Sequence, residues 1–321
     1  MFRSDRRLDL WPVVLHALAD GRWHAISRLG RNPLGRTGWR QVLRGFVLLG
    51  APLRFDPARG VRLTHALTPL LGQVSMRTAI SVERHVQLDS TNSHMLRALG
   101  RGLAHPRACL AEAQTHGRGR RERGWLAPLG GALNLSVAVP AAYPLGREAL
   151  SLRVGVEVAE ALRGLGARSV QIKWPNDLVA EGGKLGGILI EGCGAGVVIG
   201  IGINHHMPAL WLRRIPQPVT SLARLRGALL PARERVLTAI LRALHAALAS
   251  CDETWRARFD RLDALRGEPV RVIEADGMVW HGMAVGVDAR GALRVRVGDG
   301  ERLCHAGEVS IRLEGGHAAV G

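Results

Sequence analysis

The middle of this chain constrains the fold most, because strand patterns and helical patterns succeed one another there without a break. Residues 82–88 alternate apolar and polar side chains, the mark of a half-buried strand. Asp89-Ser90-Thr91-Asn92 then supplies turn and N-cap chemistry for a helix carrying Met95, Leu96 and Leu99. Residues 108–113 and 133–139 read as buried strands, and 149–165 as a helix with Leu152, Val156, Ala159 and Leu162 on its apolar side. Residues 170–173 form a short strand, 178–180 and 185–190 the arms of a hairpin around Glu181-Gly182-Gly183-Lys184, and 197–203 a further strand. Helical patterns return at 233–248 and 253–262. The expected class is α+β, a central mixed β-sheet with helices packed on it.

The flanks differ from this middle. Residues 1–75 show helical spacing near 8–18 and 37–49, a short helical stretch at 26–30, and a strand pair over 51–64 that turns at 56–60. With 12 Arg against 4 Asp, this segment carries a net charge of +8, which suits a DNA-binding winged helix-turn-helix. From about residue 268 to 313 short strands are punctuated by turns at 275–277, 288–291 and 298–300, as in a small closed β-barrel. The expected domains are therefore 1–75, 76–265 and 266–321, with a frayed end at 315–321.

No stretch reaches the ~18 apolar residues of a membrane helix, and the charged N-terminus does not read as a secretory signal. Cys109, Cys193, Cys251 and Cys304 are widely spaced with no C-x-x-C pair. That argues against a structural metal or a disulfide framework and for a reducing cytoplasm. The net charge of +17 invites a nucleic-acid partner, but nearly all the cations are Arg. A compositional bias that places Arg wherever a surface cation suffices explains most of them. The only lysines, Lys173 and Lys184, then stand out as positions where chemistry needs a compact ammonium.

Three segments carry that chemistry. Gly117-Arg118-Gly119-Arg120-Arg121-Glu122-Arg123-Gly124-Trp125 combines backbone freedom with guanidinium forks. It reads as an anion-binding loop with Trp125 as an apolar lid, or as a solvated basic or nucleic-acid-binding loop. In Lys173-Trp174-Pro175-Asn176-Asp177, Asp177 is placed to accept from an arginine or to help hold Mg²⁺; ordinary turn chemistry is the alternative. In residues 182–191, glycines flank Lys184 and let another molecule reach the ammonium. The spacing is not that of a P-loop, a dinucleotide fold is weakly supported, and no Gly-x-Ser-x-Gly or His-Glu-x-x-His motif occurs.

Ser90-Thr91-Asn92, Gln114, the loop at 117–123, residues 173–177, 184–187 and 200–204 stand in the order and spacing of the biotin–protein ligase family. The whole chain resembles its bacterial bifunctional branch, which also represses the biotin operon. The resemblance implies a winged helix-turn-helix, a class II synthetase-like catalytic domain and an SH3-like β-barrel. It implies ATP-dependent formation of biotinyl-5'-AMP and transfer of biotin to a lysine of the biotin carboxyl carrier protein of acetyl-CoA carboxylase. Ser90, Thr91, Asn92, Gln114, Arg118, Gly119, Arg120 and Lys184 would then face biotin. Arg118, Arg120, Arg121, Trp125, Lys173, Asn176, Asp177 and Asn204 would face the nucleotide, with Asp177 at Mg²⁺. Lys184, Arg118 and Asp177 would carry the chemistry. Further implied partners are operator DNA and a second copy of the chain in a ligand-linked homodimer. A main role as a DNA-binding repressor, and a lipoate or octanoate ligase on the same fold, are the alternatives.

Departures from the family pattern are local. Glu122 stands where glycine is common, offering a partner to Arg121 or Arg123 or a brake on loop closure, and His116 replaces a small residue. Asn32-Pro33 and Gly35 interrupt the helix-turn-helix turn, and Gly38 and Gly45 weaken its second helix by ~1 kcal/mol each.

Overall fold

The computed structural model describes residues 11–25, 35–64, 69–70, 80–143, 145–146, 148–249, 254–307 and 309–313. The short helix expected at 26–30, the Asn32-Pro33 turn and the end at 315–321 lie outside the described residues.

Helices α1 (Trp11–Leu18) and α2 (Gly35–Leu48) precede a hairpin of β1 (Leu53–Asp56) and β2 (Gly60–Leu63), paired from Leu53↔Leu63 to Asp56↔Gly60. The Asp56 carboxylate accepts from the amides of Ala58 and Arg59 at 2.9 and 2.8 Å, which closes the turn. Leu15, Leu18, Trp39, Phe46, Val61 and Leu63 bury a small core between these elements. Gly45 has a packing reason: a β-carbon there would come within 2.5 Å of the Trp11 ring.

The central sheet has seven strands: β3 (Ser81–Leu88), β4 (Arg107–Gln114), β5 (Ala132–Pro140), β6 (Gln171–Lys173), β7 (Asp177–Ala180), β8 (Gly183–Cys193) and β9 (Gly196–Asn204). They lie in the order β3-β4-β5-β9-β8-β7-β6. Only β3–β4 is parallel; α3 (Thr91–Gly100) makes that crossover. Helices α4 (Leu150–Gly164) and α5 (Arg233–Ala249) add their apolar sides to the main core. Helix α6 (Trp255–Asp260) ends earlier than its apolar pattern suggests. The chain must leave the helix so that Leu262 O can accept from Ile172 N at 2.7 Å and Ala264 N can donate to Ile172 O at 2.9 Å.

Register makes the two faces of this sheet unlike. Leu133↔Ile203, Leu135↔Ile201 and Val137↔Ile199 pair across β5 and β9, so branched aliphatics fill one face and join the main core. Asn134↔Gly202 and Ser136↔Gly200 pair on the other face, and Gly187 lies beside Gly202. That face is small and polar at its centre. Sequence reading takes 133–139 as simply buried, because both faces are covered and no alternation of polarity betrays them.

Strands β10 (Pro269–Glu274), β11 (Val279–Val287), β12 (Leu293–Val297), β13 (Gly300–Cys304) and β14 (Val309–Leu313) form an antiparallel sheet in the order β13-β12-β11-β10-β14. Val270, Val272, Leu293 and Val295 share the main core with α4. The indole of Trp174 donates to Gly291 O at 2.9 Å and pins the second sheet beside the end of β6.

Glu112 on β4 is fully buried, and so is Arg233 at the start of α5. Their side chains meet at 2.6 Å, Glu112 accepts from Leu70 N at 2.5 Å, and Arg233 donates to Ala132 O at 3.0 Å. Every arm of the pair therefore holds a separate segment. Removing one partner leaves an uncompensated buried charge, so Arg233→Ala is expected to lower unfolding free energy by about 3–5 kcal/mol. Urea denaturation followed by circular dichroism measures this; a loss below about 1 kcal/mol would refute the assignment.

Candidate active site

The site is built on the polar face, at the end of the sheet where β8, β7 and the loop 117–125 meet. The β7–β8 turn is two residues long: Glu181 and Gly182 have φ of 49° and 74°, and Ala180 pairs with Gly183. Positive φ at both central residues is the twist-matched hairpin geometry. Gly183 and Lys184 therefore belong to β8, not to the turn. Lys184 pairs with Val179 and Gly187 with Asp177, and the register shifts between them. This bulge puts two residues an odd number apart on the same face. Lys184 Nζ reaches Asp177 Oδ1 at 2.7 Å, across Gly187.

Loop 117–125 is an ordered hairpin. Trp125 N donates to Gly117 O at 2.8 Å, Gly119 N to Arg123 O at 2.7 Å, and Arg123 N to Arg120 O at 3.2 Å. Arg121 takes φ 53°, a left-handed conformation costly for a side-chain-bearing residue. Arg118 donates to Glu191 on β8 at 2.7 Å, and Arg120 to Asn176 Oδ1 at 3.4 Å. Arg121 donates to Gly307 O at 3.1 Å. Trp125 does not stand off as a lid: its indole lies on Gly202, where a β-carbon would come within 2.6 Å, and its Nε1 donates to Asn134 Oδ1 at 2.9 Å.

The Ser90-Thr91-Asn92 segment enters the same face. Ser90 caps α3, its hydroxyl accepting from Ser93 N at 3.4 Å. Asp89 before it is gripped by Arg97 at 2.9 and 3.0 Å, which holds its carboxyl at about 2. Gln114 Oε1 accepts from Thr91 N at 2.7 Å and Thr91 Oγ1 at 3.1 Å. The Ser136 hydroxyl lies 2.7 Å from Thr91 Oγ1 and 2.6 Å from Asn92 Oδ1. Asn92 lies across Gly200 and donates to Glu191 at 2.8 Å. Glu191 thus binds both the arginine loop and the first turn of α3.

The structure places the expected cations in two groups. Arg120, Lys173 and Lys184 lie around Asp177 and Asn176, while Arg118 pairs with Glu191, four residues beyond Gly187 along β8. Burial lowers the pKa of Lys173, with Arg312 of the second sheet adding to it and Asp177 opposing. Burial also lowers that of Arg120, helped by Arg121. Arg120, Lys173 and Lys184 around the Asp177 carboxylate leave positive charge in excess there. Asn204 is buried and donates to Lys184 O at 3.2 Å and Thr220 O at 3.1 Å, so it braces the lysine strand from behind. Asn134, Ser136 and Glu191 escape sequence reading. Only their polarity inside apolar strands marks them, and it acquires meaning once register puts them on one face.

Residues 85–204 match the model of the biotin/lipoate A/B protein ligase family, and residues 266–312 match the biotin protein ligase C-terminal domain. The chain is 34% identical to the bifunctional ligase/repressor BirA of Escherichia coli, over 94% of this chain and 97% of that protein. It is 35% identical to the biotin–[acetyl-CoA-carboxylase] ligase of Mycobacterium tuberculosis, over 70% of this chain and 86% of that one. Among solved structures, the biotin protein ligase of Aquifex aeolicus in complex with biotin and ATP aligns with a TM-score of 0.63 and 25% identity, over 73% of this chain and 99% of that chain. A mixed sheet with a cation-rich, glycine-lined face at its end and these relatives defines a ligase. The chain belongs to the biotin protein ligase family, alongside its bifunctional ligase/repressor members.

The latch formed by Glu191 has a direct test. Glu191→Gln removes the charge that holds Arg118, a contribution of about 0.5–1 kcal/mol for a partly exposed pair. Trypsin is expected to cut within 117–125 about two- to five-fold faster in the variant, because cleavage samples the opened loop. Equal rates would show that the pair does not restrain the loop.

Proposed function

We propose that this chain activates biotin with ATP as biotinyl-5'-AMP and delivers it to a lysine of the biotin carboxyl carrier protein of acetyl-CoA carboxylase. The observation that carries this reading is the grouping of Arg120, Lys173 and Lys184 around Asp177, beside β8, whose further end holds Arg118 through Glu191. A carboxylate and a triphosphate repel each other. Preorganised cations in a water-poor site hold them together and stabilise charge as it moves onto pyrophosphate.

In the first step a biotin carboxylate oxygen attacks the α-phosphorus, the bond to the bridging oxygen breaks, and pyrophosphate leaves. Arg118 and Lys184 face the carboxylate and α-phosphate; Lys173 and Arg120 face the remaining phosphates. Both lead cations are already paired with carboxylates, so the substrate anions take the places of Glu191 and Asp177. Ser90, Thr91 and Asn92 line the biotin side; Gln114 acts through Thr91, and Gly119 lets the loop approach. Trp125 flanks the nucleotide, with Asn176 beside it and Asn204 bracing Lys184. In the second step the carrier's amine attacks the acyl carbon, AMP departs, and the amine loses its proton.

Asp177 is the carboxylate suited to Mg²⁺: it sits at a strand end beside the phosphate-facing cations, and one carboxylate with phosphates and waters suffices for that ion. When bound, the ion would spread phosphate charge. Asp177 would hold it with the oxygen that Lys184 leaves. Among the described residues no helix is long and apolar enough to cross a membrane, and a cytoplasmic place suits a partner in carboxylase modification.

Mass spectrometry after incubation with biotin and Mg-ATP is expected to find biotinyl-AMP. Lys184→Ala should lower biotin-dependent ATP–pyrophosphate exchange by about 10²–10³-fold, the loss typical of one preorganised charge-stabilising donor. Exchange with lipoate or octanoate but not biotin would transfer the assignment to that ligase class. Full exchange in Lys184→Ala would remove the lysine from the chemistry.

A second role as a biotin-responsive repressor is favoured by the first seventy-five residues. Arg40, Gln41 and Arg44 are exposed along α2, and Arg54 and Arg59 on the hairpin, a layout suited to a winged helix-turn-helix on DNA. The proposed units are that domain over 1–75, the catalytic domain over 76–265 and an SH3-like barrel over 266–321, with the adenylate promoting a homodimer. Gel-shift with DNA upstream of biotin-synthesis genes, at physiological salt, is expected to show a sequence-specific band strengthened by biotin and ATP. A band that salt abolishes and sequence does not alter would reduce the segment to non-specific binding.

A further inference from the structure

At the opposite end of the same sheet face, three elements bring metal-ligating side chains together. Edge strand β3 offers Glu83 and His85, which share a face because they are two residues apart. The parallel register sets Glu83 beside Cys109 of β4, and Cys109 is fully buried. Helix α3 lies over this corner and contributes His94. Donor atoms of His85, His94 and Cys109 all lie within 4.8 Å of one another. His94 Nε2 lies 2.9 Å from Glu83 Oε2. His85 Nε2 is shielded from solvent and lies 3.8 Å from that same oxygen, so it makes no hydrogen bond. The second oxygen of Glu83 accepts from Arg107 at 3.0 Å.

We propose that His85, His94 and Cys109, with Glu83 or a water completing the set, form a binding site for a divalent transition ion of the Zn²⁺ type. Two imidazoles, one thiolate and one oxygen donor suit a borderline-soft, tetrahedral ion. Bonds of about 2.0–2.3 Å require donors about 3.3–3.8 Å apart, so rotamer adjustments close the set around an ion. His85 and His94 are partly exposed at the sheet edge, with side-chain exposures of 32% and 20%, and give the ion a way in. An ion there would tie α3, whose first turn carries Thr91 and Asn92, to β3 and β4. This site needs no assumption about the ligase chemistry. The wide cysteine spacing hides it, since only one of its ligands is a cysteine.

The test titrates metal-stripped full-length protein with Co²⁺, followed by absorption, and with Zn²⁺, followed by calorimetry. The expected result is one ion per chain bound tighter than about 10 μM, with intense visible bands of tetrahedral Co²⁺ and a near-ultraviolet thiolate band, all displaced by Zn²⁺. Cys109→Ser should lose the thiolate band. His85→Gln, an edge-strand change with little demand on folding, should weaken binding at least about tenfold. The control Cys193→Ser with Cys251→Ser should bind as the native chain does. Absence of a thiolate band in the native chain, or its survival in Cys109→Ser, would overturn the proposal. So would affinity unchanged by His85→Gln.

Discussion

What the glycine-lined face of the central sheet cannot accommodate is a β-carbon at two central positions. The Asn92 amide lies across Gly200, and the Trp125 indole lies on Gly202, each nearer than a side chain there would allow. These contacts let the first turn of α3 and the arginine loop settle directly on the backbone of β9. Van der Waals closeness of this kind fixes the depth at which the polar groups sit. A hydrogen bond such as Trp125 to Asn134 then selects the orientation. The opposite face needs the reverse, and the isoleucines of β9 supply it by joining the main core that α4 and α5 also line. One strand thus reads as glycine from one side and isoleucine from the other, and the ligase fold depends on that division.

Charge is arranged with similar economy. Left alone, the mostly buried Lys184 would carry a desolvation cost, and the more exposed Arg118 a smaller one. Glu191 and Asp177 offset it while the site waits. Glu191 also ties the loop to β8, and Asp177 ties β7 to it. Lys173 and Arg120 add positive charge beside the Lys184–Asp177 pair. Elsewhere the buried Glu112–Arg233 pair serves assembly alone: it joins β4, α5 and the segment entering the sheet.

Much of this was readable early, for definable reasons. Strands and helices announced themselves by period, and their bounds moved by a few residues where tertiary bonds intervened, as at the end of α6. The lone lysines and the Gly-Arg loop were visible because composition made them exceptions. Glu191, Asn134 and Ser136 were not, since a polar residue in a strand has no address until the strand has neighbours. The resemblance places Arg121 and Trp125 at the nucleotide, whereas loop geometry sends the first to Gly307 and lays the second on Gly202.

The linear sequence by itself determined the class of structure, the succession of elements and the family, because local periodicity and motif spacing are written along the chain. Only the tertiary structure decided which ions pair, through the bulge that turns Lys184 to Asp177 and the crossing that brings Arg118 to Glu191. It also decided that His85, His94 and Cys109 share a corner. The physical reason is the same in each case. Side-chain distance is set by register and by the packing of one element on another, and neither quantity is a function of separation along the chain.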